Sequence, residues 1–231
     1  MHLMIAVVLS ALHLRPRPSL TFCRKSEPAA EANLLTFRPM RHQLFDIDTA
    51  LITQRCVVRR FREHDGKALY QLLYDNRDYL LDHFPFLVAE AGNSKKEAEV
   101  FVRECIAEWL LQTRYAMGVW HNETTELVGF VQVFNLDWAV PSAELGYFID
   151  RKLVRQGIMT EVLARVIRFA FLQLEMEKLI VKTLIDNYAS QRLVRRVGFS
   201  REGDLRNEYR LPSGMLVDVM RFGLARETYG E

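Results

Sequence analysis

The sequence predicts one α+β domain with a mixed central sheet of about seven strands and four helices. Three observations carry that expectation. Apolar residues alternate between period two and helical spacing, which gives the element order β-α-α-β-β-β-α-β-α-β-β. A polar turn at 122–126 separates two adjacent β-rich runs, the mark of a hairpin. No internal repeat and no Pro- or Gly-rich linker interrupts residues 50–231, so the elements belong to one body.

Each element has its own justification. Residues 55–61 are rich in Val and Arg and form the first strand. Residues 64–76 carry Ala68, Leu69, Leu72 and Leu73 on one side, the pattern of a short helix. The aromatic and apolar stretch 79–88 holds one proline and no clear period, so it reads as an irregular loop or short helix. Ser94 and Glu97 form a capping box, after which Ala98, Phe101, Val102, Cys105, Ile106, Trp109 and Leu110 recur at helical spacing. Residues 115–121 and 127–135 are the hairpin strands. In a third run, 143–150, Glu144, Gly146, Phe148 and Asp150 share one face, and Leu145, Tyr147 and Ile149 the other.

A second long helix opens near Gly157 on the stripe Ile158, Val162, Leu163, Val166, Ile167, Ala170 and Phe171, with Glu161 and Arg165 spaced to pair at i,i+4. Residues 178–184 are a strand and 187–197 a helix, with Gly198 placed as its C-terminal cap. Two strands, 199–210 and 215–224, close the chain around Pro212-Ser213-Gly214.

Composition bounds the function. Of 231 residues, 49% are hydrophobic and 26% charged, which excludes a disordered or fibrous chain and leaves ample material for a core. Lys+Arg 31 against Asp+Glu 29 gives a net charge of +2, too little for a global field that holds a polyanion. The charge is unevenly placed. Residues 1–45 hold six basic against two acidic side chains, hence +4, and the remainder 25 against 27, hence −2. Residues 1–49 therefore read as a poorly ordered basic extension, with Met40 an ordinary start for the domain at 50–231. The apolar run 3–14 is about half the length of a membrane span, and no basic segment precedes it as in a signal peptide. No stable membrane association is expected. The extension also lacks interleaved aromatics, which argues against nucleic acid. Cys23, Cys56 and Cys105 have neither paired nor metal-ligand spacing, so reduced thiols, no metal and a cytoplasmic setting are expected.

The chemistry concentrates in 144–161. A strand ends at Asp150, a loop with Arg151, Lys152 and Arg155 follows, and Gly157 opens a helix. Amides at a helix N-terminus attract phosphate, and glycine lets a ligand approach the backbone closely. Many α/β loops share those features, so the loop alone is a weak signal.

Residues 143–150 followed by Gly157-Ile-Met-Thr-Glu161 resemble the acetyl-CoA motif of the GNAT N-acetyltransferases, in the branch of the RimJ/RimL type. Residues 186–199, with Asn187, Ser190 and Gly198-Phe199, resemble the second signature of that branch. The similarity spans about residues 52–227 and implies a GNAT-like fold, acetyl-CoA as cosubstrate and a primary amine as acceptor. The amine would belong to a protein N-terminus, such as that of a ribosomal protein, or to a small molecule, and the protein would be a monomer or homodimer.

The resemblance also implies site roles. The strand end at Phe148 and Ile149 would pair with pantetheine amides. Backbone at Val154, Arg155, Gln156, Gly157, Ile158, Met159 and Thr160 would hold the pyrophosphate, and Asn187 would lie beside the pantetheine arm. Glu144 would receive the proton of the amine, or else form half of a strand-face hydrogen-bond pair. Ser190 would protonate the leaving thiolate, or else serve as a polar first-turn residue; Asn187 has the chemistry of an N-cap. Arg192, Arg195 and Arg196 could reach the adenosine phosphate or lie on a solvated face. The aromatic stretch 79–88, with Asp75, Asp78 and Asp82 nearby, is the candidate acceptor wall. The usual family loop reads Gln/Arg-Gly-x-Gly-x-Gly/Ala, whereas here Val154 and Arg155 fill its first two places. That departure admits a second reading, a GNAT-fold binding or regulatory module with weakened acetyl-CoA affinity.

Overall fold

The computed structural model describes residues 47–229, so the expectations for residues 1–46 of the N-terminal extension and for Cys23 lie outside the described residues, whereas Ile47 at its end is buried in the core. The strands are β1 (Ala50–Ile52), β2 (Cys56–Arg60), β3 (Tyr115–His121), β4 (Leu127–Asp137), β5 (Ser142–Ile149), β6 (Lys178–Leu184), β7 (Ser200–Arg210) and β8 (Leu216–Ala225). The helices are α1 (Gly66–Asp75), α2 (Arg77–Leu80), α3 (Pro85–Ala91), α4 (Lys95–Leu111), α5 (Ile158–Leu172) and α6 (Tyr188–Arg196). The class is the expected α+β with a mixed sheet, but the counts are eight strands and six helices rather than seven and four. The additions are β1, whose three residues are defined only by pairing to β2, and α2 and α3, which fold the aperiodic aromatic stretch.

The strands form one sheet in the order β1-β2-β3-β4-β5-β6-β8-β7. Every neighbouring pair is antiparallel except β5 and β6, whose parallel pairing needs the α5 crossover. Alternation along β5 sorts its side chains as expected. Leu145, Tyr147 and Ile149 join the core under α5 and α6, while Phe148 joins the core under α1, α3 and α4, its ring 6.0 Å from that of Phe130. Both faces of the sheet are thus covered by helices, and nearly every β5 residue from Ala143 onward is buried.

Local signals act as their chemistry dictates. Ser94 accepts from the Glu97 amide at 3.1 Å and starts α4. Gly198, at φ +102, ends α6 in the left-handed conformation that glycine adopts without a Cβ clash. Cys56 and Cys105 are free and buried. No described helix is long and apolar enough to cross a membrane.

Candidate active site

The central feature is a parting of strands. β5 pairs with β6 only at Ser142↔Lys178, Ala143↔Leu179 and Glu144↔Ile180, yet it continues to Ile149. From Leu145 onward β6 turns away, bound on its other side to β8 along its full length. The backbone edge of β5 therefore lacks a strand partner over Leu145–Ile149, in the interior, where backbone polar groups require one. The helices that follow both strands, α5 and α6, start beside this gap.

The approach to α5 is strongly shaped. Asp150 accepts from the Lys152 amide at 2.9 Å and caps a short 3-10 turn. Val154 is extended, Arg155 is left-handed at φ +63, and Gly157 is left-handed at φ +81. Arg155 thus takes the backbone conformation that would suit glycine, although it carries a side chain. Gln156 is exposed, with Nε2 donating to the Lys152 carbonyl at 3.3 Å. Ile158 and Met159 bury their side chains in the core, so only their backbone faces the loop, and Thr160 is half-buried. The first amides of α5 have no carbonyl four residues back to bond.

A cleft of ≈ 200 Å³ lies between this loop and α6, lined by Arg155, Gly157 and Thr160 on one side and by Arg192 and Arg196 on the other. Among the described residues none of these three arginines forms an ion pair. Arg195 instead lies over the Phe222 ring at 5.4 Å, outside the cleft. The expected partner of Glu161 also differs. Its Oε1 accepts from Arg55 Nε at 3.0 Å and Nη2 at 2.7 Å, so a residue more than a hundred positions away holds it rather than Arg165. Arg55 Nη2 would lie 3.4 Å from a Cβ placed on Gly157.

At α6, Asn187 is the N-cap, its side chain accepting from the Ser190 amide at 3.1 Å. The Ser190 side chain is fully buried, its Oγ 2.8 Å from the Tyr147 hydroxyl. Burial pushes the Tyr147 hydroxyl well above its ordinary range, against a smaller opposing effect of the Ser190 hydrogen bond. Gln191 Nε2 donates to the Leu184 and Ile185 carbonyls and ties α6 to the end of β6.

Glu144 has a defined surround as well. Its Oε1 accepts from Asn135 Nδ2 at 3.3 Å and lies 3.4 Å from Lys182 Nζ, which also donates to Glu208 at 3.2 Å. Among the described residues its buried Oε2 has no hydrogen-bond partner. Phe148 is wholly buried, and the Ile149 carbonyl accepts from the Tyr79 hydroxyl. The expected site residues therefore fall on β5, the loop, α5 and α6; Val154, Arg155, Gly157 and Thr160 line the cleft, whereas Glu144, Phe148, Ile149, Asn187 and Ser190 do not. Sequence reasoning missed Arg55, Asn135, Tyr147 and Lys182. For Lys182 a signal existed: a cation inside a strand, directly after the three apolar residues 179–181.

A second cavity, of ≈ 160 Å³, lies on the α3/α4 face of the sheet. It takes Phe84, Phe86 and Leu87 from the aromatic stretch, but its carboxylates are Glu90 and Glu108. Asp75, Asp78 and Asp82 are exposed.

Comparison with known proteins shows the family and the fold. Residues 55–200 match the family described as Acetyltransferase (GNAT) domain. The ribosomal-protein-serine acetyltransferase of Escherichia coli (strain K12) is 26% identical over 161 residues, covering 69% of this chain and 87% of its own length. Two solved structures share the fold. RimJ of Mycobacterium smegmatis in complex with CoA-disulfide has a TM-score of 0.70 at 19% identity, covering 80% of this chain and 90% of that one. RimL, a ribosomal L7/L12 alpha-N-protein acetyltransferase in complex with coenzyme A, has a TM-score of 0.70 at 21% identity, covering 76% and 96%.

Proposed function

The chain belongs to the GNAT acetyltransferase family and is an acyltransferase, and from that premise we propose that it moves the acetyl group of acetyl-CoA to a primary amine in a ternary complex. The observation that carries this reading is the parting of β5 and β6 beyond Glu144↔Ile180. A strand-like pantetheine arm is the natural partner for the unpaired β5 edge, since its amides can extend the ladder where β6 has left. The residues at the open end fit the rest of the cosubstrate. The left-handed Arg155 and Gly157 shape the loop at the α5 N-terminus, and Arg155, Arg192 and Arg196 offer unpaired positive charge to its phosphates.

Acetyl-CoA supplies an activated acyl group as a thioester. Holding amine and thioester side by side makes their encounter effectively unimolecular, a large share of the rate gain. The neutral amine forms the C–N bond, the C–S bond breaks, and the thiolate takes a proton. In this reading Glu144 accepts the proton of the amine at Oε2, the carboxylate oxygen without a hydrogen-bond partner among the described residues. Ser190, backed by the Tyr147 hydroxyl, supplies the proton at the sulfur, because burial keeps Tyr147 protonated and able to donate. Asn187 holds the first turn of α6 so that Ser190 is aimed from a fixed position. The acceptor is a protein N-terminus, as the name of the E. coli relative suggests, or a small amine.

The test is isothermal titration with acetyl-CoA, followed by release of CoA thiol in the presence of amine probes. Micromolar binding that Gly157→Trp abolishes is expected, since an indole would fill the loop beside Arg55. Absence of binding to the wild-type protein at millimolar acetyl-CoA overturns the reading.

A further inference from the structure

We infer that the ≈ 160 Å³ cavity on the α3/α4 face is a subsite for a second, protonated amino group of the acceptor, carried on a short aliphatic stem. This rests on the acetyl-transfer reading and names the chemistry of its acceptor. Gln132 lines the cavity and is only 3% exposed, and among the described residues its Oε1 accepts no hydrogen bond. A buried amide oxygen without a donor is costly, so the site is built for a group that brings one. Gly146 stands opposite Gln132 in the β4/β5 register.

The electrostatics select the sign of that donor. Arg114 is committed to Glu108 and stacks on Phe101 at 5.2 Å, which leaves the Glu90 carboxylate without an ion pair among the described residues. The rings of Phe84, Phe101, Phe130 and Phe134 complete the wall. A carboxylate, an amide oxygen and aromatic faces together suit an ammonium with an apolar stem. The volume is ample for a short aliphatic chain that ends in an amino group.

This amino group is not the one acetylated. Glu144 does not line the cavity, whereas Asn135 does, and Asn135 Nδ2 donates to Glu144 Oε1. Asn135 therefore stands between the subsite and the carboxylate assigned to the reacting amine. The acceptor spans both, with one amine at Glu144 and the other at Gln132 and Glu90. Such chemistry belongs equally to a free diamine and to a peptide that begins with lysine.

The experiment titrates two matched pairs of probes into the full chain, with and without saturating CoA. The pairs are 1,4-diaminobutane against n-butylamine, and a Lys-first tetrapeptide against its norleucine-first analogue. At least one pair is expected to show about tenfold tighter binding of the second-amine probe. Gln132→Leu and Glu90→Gln should each remove most of that preference while acetyl-CoA affinity is unchanged. Preference in the peptide pair alone identifies the source as a protein terminus, and in the diamine pair alone as a small molecule. Equal binding within both pairs overturns the inference. So does a preference that survives in Glu90→Gln or in folded Gln132→Leu. Failure of acetyl-CoA to bind is a separate result that strikes the transfer reaction, because the probe pairs are also read without CoA.

Discussion

The hydroxyl of Tyr147 lies 2.8 Å from that of Ser190, and neither side chain reaches solvent. This bond joins the middle of β5 to the first turn of α6 across the widening gap between β5 and β6. It is a buried polar link in a largely apolar surround, so its loss strands a hydroxyl.

Ser190→Ala and Tyr147→Phe should each lower stability by about 1–3 kcal/mol, because each leaves the partner hydroxyl buried and unpaired. The double variant should be more stable than the sum predicts by about 1 kcal/mol. Urea denaturation of the four proteins measures this; strict additivity would show that the contact contributes nothing.

Arg155 occupies a left-handed backbone position at φ +63, which costs a non-glycine residue about 1–2 kcal/mol. Arg155→Gly relieves that strain but adds about 0.5–1 kcal/mol of backbone entropy cost, so net stability should shift little. Acetyl-CoA affinity should fall only a few-fold, with a weaker salt dependence. Arg155→Val places a β-branched residue where φ is positive and should lose at least about tenfold in affinity. A large gain in affinity for Arg155→Gly would favour the binding-module reading instead.

Arg55 neutralises Glu161 in the first turn of α5, beside Gly157. Arg55→Ala releases a carboxylate close to where phosphates are expected, and should weaken acetyl-CoA binding about three- to tenfold. The Arg55→Ala/Glu161→Ala double variant should recover most of that loss. Titration at low and high salt checks both, and an unimproved double variant counts against the charge argument.

Cys105 is buried in α4, and burial is the main cause that pushes its thiol from an ordinary 9.0 up to about 12. The folded state therefore holds this proton more tightly than the unfolded chain. The stabilisation is fully present below pH 9 and is lost as pH rises through the window from 9 toward 12, at about 1.4 kcal/mol per pH unit. Cys105→Ala should be less stable at neutral pH through its cavity, yet show a flatter decline between pH 9 and 11. Parallel slopes in urea titrations would remove Cys105 from the alkaline transition.

Much of the fold can be read along the chain because local signals and tertiary demands agree. β3 and β6 begin and end at the expected residues, since period-two alternation and flanking turn residues mark both ends. β1, α2 and α3 could not be read so clearly. β1 exists by pairing to β2, and α2 and α3 are short helices packed in an aromatic segment without amphipathic period. In the site, Gly157 and Asn187 could be named because a helix N-terminus constrains residue type. The partner of Glu161 could not: helical spacing offers Arg165, and the fold brings Arg55 closer.

What the sequence determines by itself is most of the elements, all but β1, α2 and α3, and the location of the loop before α5. These follow from periodicity and from the dihedral and capping preferences of single residues, which act within a few positions. The tertiary structure decides everything that depends on two distant segments meeting. That includes the parting of β5 from β6, the Tyr147–Ser190 bond, the Arg55–Glu161 pair and the cavity above Gln132. The physical reason is range. A hydrogen bond or ion pair depends on separation in space, and only the assembled sheet converts residues far apart in the chain into neighbours a few ångströms apart.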